Sequence, residues 1–186
     1  MKIGFCGTMS VGKTTLVNAL KKEPEFKNYK FTTERSKYLN SLGIPLNTDS
    51  TLKGQLVFAA ERAAELMQEN IITDRTIIDV MAFCELSKSM SKAEKDHING
   101  VLWHLIREYD IIFYINDLEI PIEDNGVREI DKDYRLSIAS KIDSILGMYR
   151  YMPGKVVNVS GNTEERIGQV KESVNMYNIY HGSTKH

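Results

Sequence analysis

A chain of 186 residues, 42% hydrophobic and 26% charged, is long enough to bury a sizeable core and short enough to form one domain. Nothing in it approaches the roughly 18 consecutive apolar residues of a membrane span, so no membrane association is expected. A net charge of −1 excludes the global basic field that drives non-specific nucleic-acid binding, and Cys6 and Cys84 are too far apart to suggest a zinc or disulfide framework.

In chain order, Met1 and Lys2 lead straight into an apolar run with no signal-peptide core, which reads as a cytoplasmic protein with reduced, buried thiols. The run KIGFC (2–6) reads as a strand. The overlapping segment FCGTMSVGKTTL (5–16) matches G-x-x-x-x-G-K-[ST] at Gly7, Gly12, Lys13 and Thr14, and a helical pattern follows. Converging backbone N–H groups at a helix start suit a phosphate chain. The loop Gly7, Thr8, Met9, Ser10, Val11, Gly12, Lys13, Thr14, Thr15 is therefore the expected nucleotide cradle, with Lys13 on the β and γ phosphates and the Thr14 hydroxyl on Mg²⁺.

The second strand-like run, YKFTT (29–33), ends at Glu34-Arg35, a carboxylate and cation expected at the acceptor. The segment 54–70 places Leu56, Ala59, Ala60, Ala63 and Met67 at helical spacing, a stripe expected to face the core. The run NIITD (70–74) ends at Asp74-Arg75. At the carboxyl end of a parallel strand, Asp74 can hold Mg²⁺ or take a proton, and Arg75 can hold a substrate phosphate. Residues 87–109 read as a helix with a polar start, where His97, Trp103 and His104 are packing or surface groups.

After DIIFYIN (110–116), the excursion EDNGVREIDKDYR, within a lid spanning about 117–135, carries Arg128 and Arg135 as candidate cations for the transferring phosphoryl group. The helix expected over 133–149 buries Tyr134, Ile138, Ile142, Ile145 and Tyr149. After KVVNVS (155–160), Gly161 is expected to let the backbone approach the nucleotide base. Residues 1–176 read as one domain and 177–186 as a flexible tail without periodicity. Five apolar runs alternating with helices predict a parallel sheet covered on both faces.

No N-K-x-D segment follows a later strand, which speaks against a GTP switch, and the length speaks against motors and AAA-type machines. Small ATPases and kinases remain. The loop Gly7–Thr14, the Asp74-Arg75 pair and the Arg128/Arg135 lid resemble P-loop kinases of the nucleoside and nucleotide kinase group. ERSKYL, TDRTIIDVMAF and IEDNGVREIDKDYR are similar to small, often phage-encoded kinases related to the ribosylnicotinamide kinase domain. Thr76 after Asp74-Arg75, where an aromatic residue would stand, departs from the thymidylate-kinase pattern.

The resemblance implies an α/β fold with a five-stranded parallel sheet, a P-loop and a lid, and a kinase using ATP and Mg²⁺. On that reading Lys13, Glu34, Asp74 and Arg128 are catalytic. Thr14 and Asp74 hold the metal, Glu34 or Asp74 takes the acceptor proton, and Glu34, Arg35, Arg75 and Arg135 meet the acceptor. The acceptor is a nucleoside or nucleotide. The alternatives are the hydroxymethyl group of a modified thymine-type base (5-hydroxymethyluracil) in phage DNA, with KKEPEFKNYK (21–30) as its basic stretch, or a non-catalytic nucleotide-binding module or small ATPase. A homodimer is left open.

Overall fold

The computed structural model describes residues 1–33, 35–122, 131–149 and 155–182. The expected alternation is present. Strands β1 (Lys2–Cys6), β2 (Lys30–Thr32), β3 (Ile71–Asp74), β4 (Ile111–Tyr114) and β5 (Lys155–Asn158) form one sheet in the order β2-β3-β1-β4-β5. All four pairings are parallel, with Phe5 opposite both Asp74 and Phe113. Helices α1 (Lys13–Leu20), α2 (Ser36–Ser41), α3 (Leu52–Leu66), α4 (Ile77–Leu86), α5 (Lys92–Ile106), α6 (Lys132–Tyr149) and α7 (Thr163–Gly182) complete the chain.

Parallel strands buried on both faces need apolar side chains on both, and β1 shows the consequence. Ile3 and Phe5 join Leu16, Leu20, Val170 and Val174 under α1 and α7, while Cys6 joins Ile78, Ile98, Ile138 and Ile142 under α4, α5 and α6. Phe5 stacks on Phe113 across the sheet at 5.1 Å. Both cysteines are free and buried, and burial pushes the Cys84 thiol up to about 12. No helix among the described residues is long and apolar enough to cross a membrane.

The 133–149 stripe is buried as expected, from Tyr134 to Tyr149. The 54–70 stripe is not. Leu56 is half exposed and Met67 is 84% exposed, whereas Gln55, Arg62 and Leu66 are buried. The inner face of α3 serves polar partners: Arg62 donates to the Arg75 carbonyl at 3.5 Å and to Glu65 Oε1 at 2.8 Å. The segment read as one helix over 87–109 starts later, at Lys92, where Ser91 and Glu94 form a reciprocal cap. The C-terminus also differs from the aperiodic tail expected from residue 177, because α7 continues to Gly182. Tyr177 holds it to the domain by donating its hydroxyl to Asp110 Oδ1 at 2.8 Å.

Candidate active site

The loop between β1 and α1 is shaped by three positive φ angles within reach of non-helical turns, at Ser10 (56°), Gly12 (87°) and Gly7 (149°). At Gly7 a Cβ would lie 2.3 Å from the Ile115 carbonyl oxygen, so only glycine lets the loop leave β1 this close to β4. Its amide donates to Asp79 Oδ1 at 3.3 Å.

The loop carbonyls are held by cations. Lys13 Nζ donates to the carbonyls of Gly7 and Thr8, both at 2.6 Å. Arg135 Nη2 donates to Ser10 at 3.4 Å, and Arg166 Nη1 to Val11 at 2.8 Å. A peptide whose carbonyl is fixed on one side turns its N–H to the other, which favours an anion site on the open side. Lys13 is buried, and burial, reinforced by the neighbouring Arg75, pushes its ammonium down to about 8 against the opposing pull of Asp79 and Asp74.

Asp74 stands at the end of β3 beside Thr14 at the start of α1. Thr14 Oγ1 donates to Asp74 Oδ2 at 2.6 Å. The other oxygen, Oδ1, is buried and has no hydrogen-bond partner among the described residues. A buried carboxylate oxygen without a donor, next to a hydroxyl at a phosphate-binding loop, fits Mg²⁺, which is commonly held by one or two protein groups plus phosphate oxygens. No cluster of three or more His, Cys, Asp or Glu that could hold a metal occurs among the described residues, so any dedicated protein cage is absent there.

Arg75 adopts φ 104°, a strained value for a side chain this large. Its amide donates to the Phe5 carbonyl at 3.1 Å, and its guanidinium lies 3.6 Å from Asp79 Oδ1 and 5.2 Å from the centre of the Phe83 ring. Asp79 anchors this turn. Its Oδ2 accepts from the Thr76 amide at 2.8 Å and hydroxyl at 2.9 Å, while Oδ1 faces the Gly7 amide and Arg75.

A cleft of about 890 Å³ joins these parts. Residues Met9 to Thr15 form its floor, Asp74 and Arg75 one wall, Arg35 and Tyr38 the rim beyond, and Gly161 to Thr163 the opposite wall. The structure therefore gathers Lys13, Thr14, Asp74, Arg75, Arg35 and Gly161 around one space. Arg35 pairs with Glu61 at 2.9 Å and lies over the Tyr38 ring at 4.5 Å. Thr8 lies beneath the loop and gives its hydroxyl to the Arg135 carbonyl at 3.2 Å. Glu34 and Arg128, with most of the expected lid, lie outside the described residues.

Arg135, expected at the acceptor, is not among the residues that line the cleft. Its guanidinium is buried against the carbonyls of Ile120 at 2.7 Å, Asp117 at 3.1 Å, Leu118 at 3.4 Å and Ser10. Because α6 begins at Lys132, Arg135 sits in its first turn and ties the chain after β4 to the phosphate-binding loop.

Residues 2–166 match the family described as an AAA domain. The chain belongs to that family. Length alone speaks against an AAA-type machine, yet the family's span fits within this chain and takes in the loop, Asp74 and Arg166, so size does not exclude membership. No curated protein matches. Among solved structures, the AAA-domain chain is similar to the deoxyadenosine kinase from M. mycoides with dCMP and dCDP bound, at 18% identity and TM-score 0.67 over 95% of this chain and 99% of that one. It is similar to thymidylate kinase from Candida albicans at 19% identity and TM-score 0.66, over 94% and 90% of the two chains. It is also similar to the NadR protein in complex with NR, at 17% identity and TM-score 0.67, over 91% of this chain and 49% of that one. These likenesses establish the fold of the P-loop nucleoside and nucleotide kinases.

Three site residues of this AAA-domain chain were not singled out by sequence reasoning. Asp79 had a signal, since T-x-x-D before an apolar run is a capping box, and Thr76 does cap α4. Arg166 had a fainter one, a cation in a helix's first turns where the dipole disfavours it. Asp117, which accepts from Arg166 Nη2 at 2.8 Å, had none.

Proposed function

We propose that the chain is an ATP- and Mg²⁺-dependent phosphotransferase that moves the γ-phosphoryl group to a hydroxyl or phosphate of a nucleoside-like or nucleotide-like acceptor. The observation that carries this reading is the Thr14–Asp74 pair with its unpartnered Oδ1, in one cleft with Lys13 on one side and Arg75 and Arg35 on the other. A plain nucleotide-binding module has no need of a buried, half-satisfied carboxylate facing a second, cationic compartment. Fold neighbours whose names are deoxyadenosine kinase and thymidylate kinase support the same class of reaction.

The residues divide the work by position. Lys13, released from the Gly7 and Thr8 carbonyls, holds the β and γ phosphates, and the loop amides hold the rest of the chain. Thr14 and Asp74 would hold Mg²⁺, whose bound charge neutralises that developing on the phosphate oxygens. In transfer to a hydroxyl, the acceptor O–P bond forms as the bond from the γ phosphorus to the bridging oxygen breaks, ADP departs, and the hydroxyl proton passes to a carboxylate. Asp74 is the buried candidate for that proton; Glu34 is the second. Arg75, fixed by Asp79 and Phe83, and Arg35 orient the acceptor.

The test is transfer from γ-labelled ATP with Mg²⁺ to separate pools of nucleosides, nucleoside monophosphates, ribosylnicotinamide and DNA containing 5-hydroxymethyluracil. Lys13→Ala serves as control. Label in one pool, abolished in the control, establishes the class and the acceptor. Label released only as free phosphate in every pool would overturn the kinase reading in favour of an ATPase.

A further inference from the structure

Asp79 stands in the first turn of α4, where it closes a capping box with Thr76: its Oδ2 accepts from the Thr76 amide at 2.8 Å and from the Thr76 hydroxyl at 2.9 Å. That duty does not call for burial. The chain carries another capping box at the start of α5, where Glu94 Oε2 accepts from the Ser91 amide at 2.8 Å and hydroxyl at 2.7 Å in an exposed position. Asp79, in contrast, is 1% exposed. A carboxylate so deep loses its hydration, a loss that is offset only where both oxygens have partners.

The partners of the second oxygen belong to different halves of the cleft. Oδ1 accepts from the Gly7 amide at 3.3 Å, at the first residue of the phosphate-binding loop, and lies 3.6 Å from Arg75 Nη1 on the opposite side. The Arg75 backbone is held, its amide on the Phe5 carbonyl at 3.1 Å and its carbonyl on Arg62 Nη1 at 3.5 Å, so any response to an acceptor falls to its side chain. The capping box holds the carboxylate in turn, through Oδ2. Neither contact of Oδ1 has the length of a good charge-assisted bond, about 2.7 to 2.9 Å, so this oxygen is divided between two donors and saturates neither.

On the reading of the cleft as a kinase site with Arg75 on the acceptor side, we propose that Asp79 is a positioning residue that couples the two halves, by sharing one carboxylate oxygen between the Gly7 amide and the Arg75 guanidinium. When Arg75 turns toward an acceptor, Oδ1 closes on the Gly7 amide and fixes the start of the loop. When Lys13 leaves the Gly7 carbonyl for a triphosphate, Asp79 still holds Gly7 at its amide, and the tighter contact there loosens Arg75 toward the acceptor. Each event makes the other easier. Such coupling is reciprocal and commonly amounts to about 5- to 150-fold in affinity.

The test is a double-mutant cycle on the affinity of the full chain for β,γ-imido-ATP in Mg²⁺, read by calorimetry, with Asp79→Asn, Arg75→Met and the two combined. Binding of this analogue needs no acceptor and no turnover, so its result is separable from the transfer assay that tests the kinase reading. In Asp79→Asn the remaining oxygen can stay on Thr76 while the new NH₂ faces two donors, so the cap survives and the link is lost. The dissociation constant is expected to rise about fivefold or more in Asp79→Asn, and the effect of Arg75→Met to differ by about fivefold or more between the wild-type and Asp79→Asn backgrounds. Effects that multiply to within about twofold would overturn the coupling. Thr76→Val removes the hydroxyl of the cap and leaves Oδ1 in place; it is expected to lower Tm and to preserve the wild-type effect of Arg75→Met. If Thr76→Val altered that effect as far as Asp79→Asn does, Asp79 would serve the helix start alone and the proposal would fall. Should Asp79→Asn not fold by circular dichroism, Arg75→Met is set against Arg35→Met, which removes from the same side of the cleft a cation that pairs with Glu61 instead. The link predicts that these two constants differ by about fivefold or more, and equal shifts would overturn it. Failure of the folded wild type to bind the analogue would remove the nucleotide site and the coupling together.

Discussion

Arg135→Met separates a structural arginine from a substrate-binding one. Methionine keeps much of the buried stem and removes the guanidinium, leaving the carbonyls of Ser10, Asp117, Leu118 and Ile120 without that donor. Two of the four contacts, at 2.7 and 3.1 Å, have ordinary hydrogen-bond length, and the two at 3.4 Å are marginal. At about 1.5 to 3 kcal/mol for each good bond to a charged group, the short pair represents roughly 3 to 6 kcal/mol. Burial disfavours the charge, as the lowered pKa of Arg135 indicates, with Asp117 opposing; this offsets part of that gain. A net loss of about 2 to 4 kcal/mol follows, or roughly 5 to 12 °C in Tm for a domain of this size. Thermal and urea unfolding followed by circular dichroism, alongside acceptor KM, decide the matter. A Tm within about 2 °C of wild type together with a tenfold or larger rise in acceptor KM would mean that Arg135 reaches the substrate and that its carbonyl contacts carry little.

Lys13 sets a pH dependence. Its folded-state pKa of about 8 lies below the usual 10.5, so its charged form costs stability at pH below 8, a cost relieved as pH rises from about 8 toward 10.5. Binding a triphosphate favours the charged form, so ATP affinity should be flat below pH 8 and fall by up to about tenfold per pH unit above it. Calorimetry in buffers of different ionisation heat should detect proton uptake near pH 9 and none near pH 6.5, and equal uptake at both would exclude Lys13 as the titrating group. Asp74→Asn keeps an acceptor for Thr14 but removes the charge that would hold Mg²⁺. We expect kcat to fall by about 10² or more with nearly unchanged Tm, and unaltered turnover would point away from Asp74. Gly161→Ala should lose about 1 to 3 kcal/mol from its φ of 91° and from displacing Glu165, which caps the start of α7 with Asn162. In a Glu165→Ala background the loss should shrink to about 1 kcal/mol, and equal losses in both backgrounds would dissociate Gly161 from that cap.

The parts of this protein that were legible in the sequence are those written in adjacent residues. The phosphate-binding loop is one contiguous pattern, the alternation of apolar runs and helices sets a parallel sheet, and the buried face of α6 follows helical spacing from Tyr134 to Tyr149. The same periodicity misplaces α3 because it assumes that a buried face is apolar. Arg62 and Gln55 are buried there while Leu56 and Met67 face out. Residues 177–182 continue α7, and Tyr177 there reaches Asp110, a contact that spans 67 residues.

The same limit governs the site. G-x-x-x-x-G-K-T identifies a loop that can hold phosphate, but the loop's orientation depends on where its carbonyls go. Lys13 takes two of them from within the motif; Ser10 and Val11 give theirs to Arg135 and Arg166, 125 and 155 residues away. Spacing along the chain shows that those arginines are charged and near helix starts. Only the fold shows that they reach the carbonyls of the phosphate-binding loop. Arg135, expected at the acceptor, and Arg166, which the sequence did not single out, thus share one structural task at the loop. They hold peptide dipoles so that the N–H groups meet the anion, while Asp74, Arg75 and Arg35 are left to line the cleft where transfer is proposed.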